Sequence, residues 1–437
     1  MKNHRILLIF IVLVAFLFTA SITYGILFNP DPYNHHSGLG ATVAVSPEDE
    51  ALVFSYYENG REAIYAASLK DGKVRKVTKP ADEDHRMPQF SPDGKGILYL
   101  AADDDGVQSL HYINDLTGDK SIQLTGTDTH VSSAAFSPDG RSVYYIAIPA
   151  EDFLKPEGEK ENGADLFSVN AKGGNVLKLT DKDSFAMDEL SVSVDGTMLF
   201  YTEFDGVQRL MAYSIKKGTS SVYLDEYIRD DLYYPSFSYD NGLLAYTAVT
   251  EESKNKGSTF EYELFLMETS TGETKRLTDF NASVTSPVFF HLENQIVFLT
   301  QPNWPSEPAV YETMTVDYNS GEIASLRLDF PETTHKFQPA TIVHWLTTPI
   351  TVTGLYLLLV GLLTVYCQSA LQKGYLPAKI SAILTGIVFA GSFLAGAFNP
   401  WAAISLIILA AGLAVCTIII FIFAYIYREV GKSAREL

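Results

Sequence analysis

Hydrophobic and polar positions divide this chain into three regimes. From Ile6 to Phe28 no residue is charged, and three more uncharged apolar runs follow at Val343–Gln368, Ile380–Phe398 and Trp401–Tyr427. Each is long enough for the roughly 20 residues of helix that cross a ~30 Å hydrocarbon core. Between them the pattern changes to short apolar strands of five to seven residues, flanked by polar turns. Gly96-Ile97-Leu98-Tyr99-Leu100, Ser142-Val143-Tyr144-Tyr145-Ile146, Met198-Leu199-Phe200-Tyr201, Leu243-Leu244-Ala245-Tyr246 and Gln295-Ile296-Val297-Phe298-Leu299 are rich in aromatic and β-branched residues, as strands packed between sheets require.

A short acidic turn precedes each of these strands. It reads Ser46-Pro47-Glu48-Asp49, Ser91-Pro92-Asp93-Gly94, Ser137-Pro138-Asp139-Gly140, Ser193-Val194-Asp195-Gly196, Ser238-Tyr239-Asp240-Asn241 and, in worn form, His291-Leu292-Glu293-Asn294. Successive copies are 45, 46, 56, 45 and 53 residues apart, a period typical of four-stranded propeller blades. Proline sets φ for the first turn position, aspartate bonds its own backbone and glycine admits positive φ, so the motif predicts a tight turn between two strands. The repeated aspartates are read as turn chemistry, not as a metal ring. A third strand then runs to a glycine turn (Asp71-Gly72, Thr271-Gly272), and a fourth closes near Val77-Thr78, Leu124-Thr125, Leu179-Thr180, Leu224-Asp225 and Leu277-Thr278.

The Phe-Ser-Pro-Asp-Gly repeat, the upstream prolines Pro88, Pro235 and Pro287, the Tyr-rich third strand and the closing Leu-Thr resemble the WD40-like repeat of TolB-type six-bladed β-propellers. The resemblance runs over about residues 39–332, strongest in the second and third copies and weakest in the first and sixth. It implies an all-β six-bladed propeller; here transmembrane helices, one N-terminal and three C-terminal, flank it. The expected layout is a signal-anchor helix over 1–28, a linker over 29–38, the propeller over 39–332, a linker over 333–341 and three membrane helices with a cytoplasmic tail over 342–437. Two stretched copies, with insertions at Glu151–Gly163 and Glu251–Gly257, read as exposed loops.

Charge sets the orientation. Lys2 and Arg5 precede the first span, Lys373 and Lys379 lie between the second and third, and Arg428, Lys432 and Arg435 follow the fourth, all on one side. Positive residues resist translocation, so both termini are expected in the cytoplasm and the long segment outside the cell membrane. That segment holds 25 of the 32 Lys and Arg and 50 of the 52 Asp and Glu. Such a surface repels nucleic acid. Cys367 and Cys416 both fall in the spans, so the outer domain has no disulfide, a pattern more bacterial than animal.

Catalytic signatures are missing. The chain has no Gly-x-Ser-x-Gly elbow, no His-Glu-x-x-His pair, no phosphate loop and no dinucleotide fingerprint. Asp103-Asp104-Asp105-Gly106 lacks the alternating spacing of a calcium loop. His35-His36, adjacent on a linker, point different ways. Neither a metal nor a cofactor is expected.

The candidate binding site is instead positional. Connections between blades gather at one mouth of a propeller channel, and here they carry Asp82-Glu83-Asp84-His85-Arg86, Asp128-Thr129-His130, Asp188-Glu189 and Asp230-Asp231. Asp84, His85, Arg86, His130, Asp188, Glu189 and Asp231 are the candidate ligand-binding residues, suited to a cation or a basic peptide. The favoured function is a membrane-anchored module that binds a protein, peptide or envelope component outside the cell, as a subunit or sensor of a membrane complex. The alternative is an extracytoplasmic hydrolase or lyase drawing acid and base from Asp84, His85, His130 and Asp231. The charge-free spans argue against a pump. The small residues Ala382, Gly386 and Ala390 offer a helix-packing face, within the chain or to partner membrane helices.

Overall fold

The computed structural model describes residues 2–28, 31–34, 36–116, 120–156, 158–228, 231–256, 260–330 and 345–436. His35, Asp230 and the expected linker over 333–341 fall outside that set. The chain forms two compact units, Pro32–Thr334 on one hand and Met1–Asp31 with His335–Leu437 on the other.

In the first unit the strands Gly38–Val45, Asp84–Phe90, Thr129–Phe136, Ala186–Val192, Tyr233–Phe237 and Ser283–Phe289 each begin an antiparallel meander of four strands. Four meanders stand as separate sheets. The last two share an eight-stranded sheet through one parallel pairing, Tyr262 with Ser283. Successive side chains on a strand point to opposite faces, and here both faces are buried. Leu52 and Phe54 pack with Val297 and Leu299 of the last meander, while Val53 between them packs with Ile97 and Tyr99 of the second. Leu98 and Leu100 meet Val131 and Tyr145; Ile146 and Leu166 meet Leu199 and Tyr201. Leu210 meets Leu232 and Leu244, and Leu264 and Leu266 meet Ile296 and Phe298. The six inter-sheet cores therefore form a closed cycle, which is why the strands are apolar without interruption. Each large side chain buried this way contributes about 1.5–3 kcal/mol.

The repeated turn works by local bonding. Ser46, Ser91, Ser137, Ser193 and Ser238 accept, at Oγ, the N–H five residues on, at 2.8–3.0 Å. In four copies the serine hydroxyl also donates to the turn aspartate at 2.6–2.7 Å. The fourth position has positive φ in Asp49, Gly94, Gly140, Gly196 and Asn241.

Ring closure joins the two weakest copies. In the first copy Asp49 stands where three copies have glycine and two asparagine, and its buried carboxylate accepts the N–H groups of His291 (2.8 Å), Leu292 (2.7 Å) and Glu293 (3.3 Å) from the worn sixth turn. Ser286 Oγ donates to the Ala41 carbonyl at 2.6 Å. Beyond the last strand the chain crosses to the first sheet, where the Asp329 N–H meets the Gly72 carbonyl at 2.8 Å and the Phe330 ring stacks on Tyr56 at 4.7 Å.

Both insertions, expected as exposed loops, contain short helices, Ala150–Leu154 and Glu251–Lys256. Buried Asp152 organises the first by accepting from Asn162 Nδ2 (2.6 Å), the Glu161 N–H (2.9 Å) and Lys155 Nζ (3.0 Å). These partners lie up to ten residues on, so the loop folds on its own aspartate.

The second unit holds helices Lys2–Phe28, Pro349–Leu371, Leu376–Gly396 and Pro400–Glu436, all long and apolar enough to cross a membrane by length and composition. Lys379, expected in a connecting turn, lies in the first helical turn of Leu376–Gly396. That helix packs through hydroxyls, Tyr356 to Ser381 at 2.7 Å and Ser381 to Thr417 at 2.6 Å, and through Ala378, buried with Val360 and Ile420. Ala382, Gly386 and Ala390 are exposed, so the small-residue face does not make the packing within the chain.

Candidate functional site

The first strands of all six meanders surround a cavity of about 580 Å³. Thr42, Met87, Ser133, Glu189, Tyr234 and Ser286 line one end of it, and Phe90, Phe136, Phe237 and Phe289 line it towards the other. That other end has its mouth among the repeated turns, at Pro47, Pro92, Pro138 and the exposed Val194 and Tyr239. Glu189 is the one carboxylate in this lining, in a chain of net charge -20.

Backbone irregularity aims these side chains. Register breaks by one extra residue between Arg86 and Gln89, Asp188 and Ser191, Tyr233 and Ser236, and Thr285 and Val288. The residue at the break has positive φ: Met87, Glu189, Tyr234 and Ser286. Such β-bulges redirect side chains, and a proline, which cannot donate to the ladder, is tolerated beside them. Pro88, Pro235 and Pro287 occupy that place, so the upstream proline of the repeat marks the bulge.

Of the candidate residues, Glu189 lines this channel, with Asp188 next to it on the same strand. Glu189 Oε1 accepts the Tyr234 N–H at 2.7 Å, and Asp188 Oδ1 accepts the Glu189 N–H at 2.7 Å. Asp188 is exposed and Glu189 half-buried, and neither has an ion pair among the described residues. Desolvation pushes Asp188 up to about 6; desolvation and the Asp188 charge push Glu189 up to about 8.

The others attach one sheet to the next. Asp84 Oδ1 accepts the Glu62 N–H (3.0 Å), His130 Nδ1 that of Gln108 (3.2 Å) and Asp231 Oδ1 that of Gln208 (3.0 Å). Each thus caps the start of the third strand of the preceding meander. Arg86 lies 3.3 Å from Asp84 and 3.2 Å from Glu62, whose burial raises its carboxyl against the opposing pull of Arg86. His85 is buried on Tyr99 and bonds Glu83 at 2.8 Å; burial lowers its imidazole. His130 stacks on Phe153 at 3.6 Å, under the first insertion, and burial lowers it to about 4. Among the described residues no hydrogen bond or ion pair links Asp84 or His85 to His130 or Asp231, and no group of three His, Cys, Asp or Glu could hold a metal. Sequence reasoning missed Glu62 and Tyr234, and the bulge prolines were the signal that could have found Tyr234.

A family model, PD40, the TolB beta propeller domain, matches residues 29–258, just over half of the chain. The chain belongs to the TolB β-propeller family. Solved structures of similar shape include TolB from Acinetobacter baumannii (18% identity, TM-score 0.46, covering 68% of this chain and 65% of that one). An oligogalacturonate lyase from Vibrio parahaemolyticus has 11% identity and a TM-score of 0.43, covering 64% and 90%. Dipeptidyl-peptidase 5 of Porphyromonas gingivalis is 26% identical over 121 residues, 27% of this chain. The chain spans only 16% of that relative's length. In this TolB-type propeller, then, the central cavity is lined by apolar and uncharged polar side chains with a single acid, while Asp84 and Asp231 serve the frame.

Proposed function

We propose that this TolB-type propeller has six blades, one per meander, and acts by binding a protein or peptide partner in its central cavity. The cavity carries the reading: it is roomy, bounded by every first strand, and walled by apolar side chains interleaved with uncharged polar ones that can orient a ligand. The engagement of Asp84, His130 and Asp231 in inter-sheet bonds favours binding over acid-base catalysis. The four apolar helices hold the propeller at a membrane. By the Lys and Arg beside the spans, both termini are cytoplasmic and the propeller faces outside, in a bacterial envelope.

The test is photo-crosslinking in native membranes. A crosslinking residue at Ser236, inside the cavity, is expected to give a discrete adduct that a second substitution, Ser191→Trp, abolishes by filling the space. Adducts that form equally from an outer strand, or survive the filling, would sink the proposal.

A further inference from the structure

The second position of the repeated turn carries more than turn chemistry. Proline stands there in three copies only, at Pro47, Pro92 and Pro138; the others carry Val194, Tyr239 and Leu292. None of these three fixes φ, so the turn does not require them. Yet all are apolar and exposed, Tyr239 by 69% and Leu292 by 76%. Five of the six positions rim the mouth of the central cavity, and the apolar surface continues inward to Phe90, Phe136 and Phe237. A large apolar side chain left in water at a cavity entrance marks a contact surface more than an isolated exposed residue does.

The third position completes the pattern. It holds Glu48, Asp93, Asp139, Asp195, Asp240 and Glu293, all exposed, against Lys95 and Arg141 as the cations of the same turns. Serine hydroxyls bonded to Asp93, Asp139, Asp195 and Asp240 hold those carboxyls below their ordinary range, so they stay charged. An apolar ring thus lies beside a ring of fixed negative charge, one residue of each kind from every copy.

We propose that this turn-side rim docks a partner protein segment with an apolar tip, which enters the cavity, flanked by Lys or Arg, which meet the carboxylates. The proposal rests on the reading of the cavity as a binding site and adds which mouth is used and what chemistry the partner carries. Complementary charge sets partner choice and association rate, and the buried apolar tip sets affinity.

The experiment uses full-length protein in nanodiscs of neutral phosphatidylcholine and fluorescence anisotropy of three labelled peptides. They share the core Leu-Phe-Leu-Phe and are flanked by two lysines, two serines or two glutamates at each end. The lysine peptide is expected to bind most tightly, with affinity falling as salt rises. The double variant Tyr239→Ser, Leu292→Ser should weaken it about tenfold. Glu48→Gln with Glu293→Gln should weaken it several-fold and flatten the salt dependence; both pairs are exposed, and an unchanged melting temperature shows that the fold survives. Equal binding of the lysine and glutamate peptides overturns the proposal, as does no binding of the lysine peptide. Binding that the cavity-filling Ser191→Trp abolishes and the rim variants leave intact overturns the rim and keeps the cavity reading. Binding that survives both refutes the two together.

Discussion

Asp49→Ala tests the closure of the ring. The side chain is 5% exposed, and its carboxylate accepts three backbone N–H groups of the sixth turn and lies 3.3 Å from His291 Nδ1. A hydrogen bond to a charged group is worth ~1.5–3 kcal/mol net, and bonds to one acceptor do not add. Because His291, Leu292 and Glu293 are exposed, water recovers part of the loss. The expected cost is about 2–3 kcal/mol, or at ~2–4 °C per kcal/mol a fall of roughly 4–12 °C in Tm. Asp139→Ala is the control, since that carboxylate is exposed and serves only its own turn through Ser137 and the Arg141 N–H; its Tm should fall by less. Trp304 is the one tryptophan of the strand-built unit, so a Trp345→Phe, Trp401→Phe background lets its fluorescence report the propeller alone. A fall for Asp49→Ala no larger than for Asp139→Ala would refute the closure argument.

Three further outcomes are expected. His130, lowered to about 4, stays neutral in the fold while the unfolded chain takes up a proton; its contribution is full above about 6.5 and lost as pH falls through that window, about 3 kcal/mol in all. His130→Gln should abolish that part of the acid sensitivity in urea titrations at pH 4 and 7, and an unchanged pH dependence would count against it. Glu189, raised to about 8, keeps its proton in the fold, so its contribution is full at low pH and declines as pH rises through 8. Glu189→Gln should match the wild type near pH 5 and exceed it at pH 9; the same melting difference at both would contradict this. A Cβ on Gly40 would fall 2.0 Å from Ser55 Oγ and 2.5 Å from Glu62 Oε1; Gly40→Ala should cost ~1–3 kcal/mol, and Ser55→Gly should recover part of it in the same melt.

Local chemistry was legible in the sequence, and chemistry across the ring was not. Ser91, Asp93 and Gly94 bond among themselves, so spacing alone reveals their turn. Asp49 looked like a degraded copy because its partners lie some 240 residues away. Asp84, His130 and Asp231 read as loose polar residues between blades; the N–H groups they accept sit at strand starts in the preceding sheet, about 22 residues back, with no sequence mark. Glu189 shows the reverse: a bulge that the sequence does not announce turns it into the channel. The four apolar helices were plain from length, but which face of Leu376–Gly396 packs was not, since Ala378 and Ser381, outside the Ala382, Gly386, Ala390 stripe, make the contact.

The way the ring is sealed has a mechanical side. Asp329 and Phe330, which lie along the first sheet, are also the last described residues before the chain leaves towards its C-terminal helices. A pull on the chain beyond Phe330 is therefore taken up by the Asp329 to Gly72 backbone bond and by the Phe330 ring, which packs on Tyr56 and Phe54 against the core that joins the first and last meanders. Tension on that segment is delivered straight to the closure of the ring.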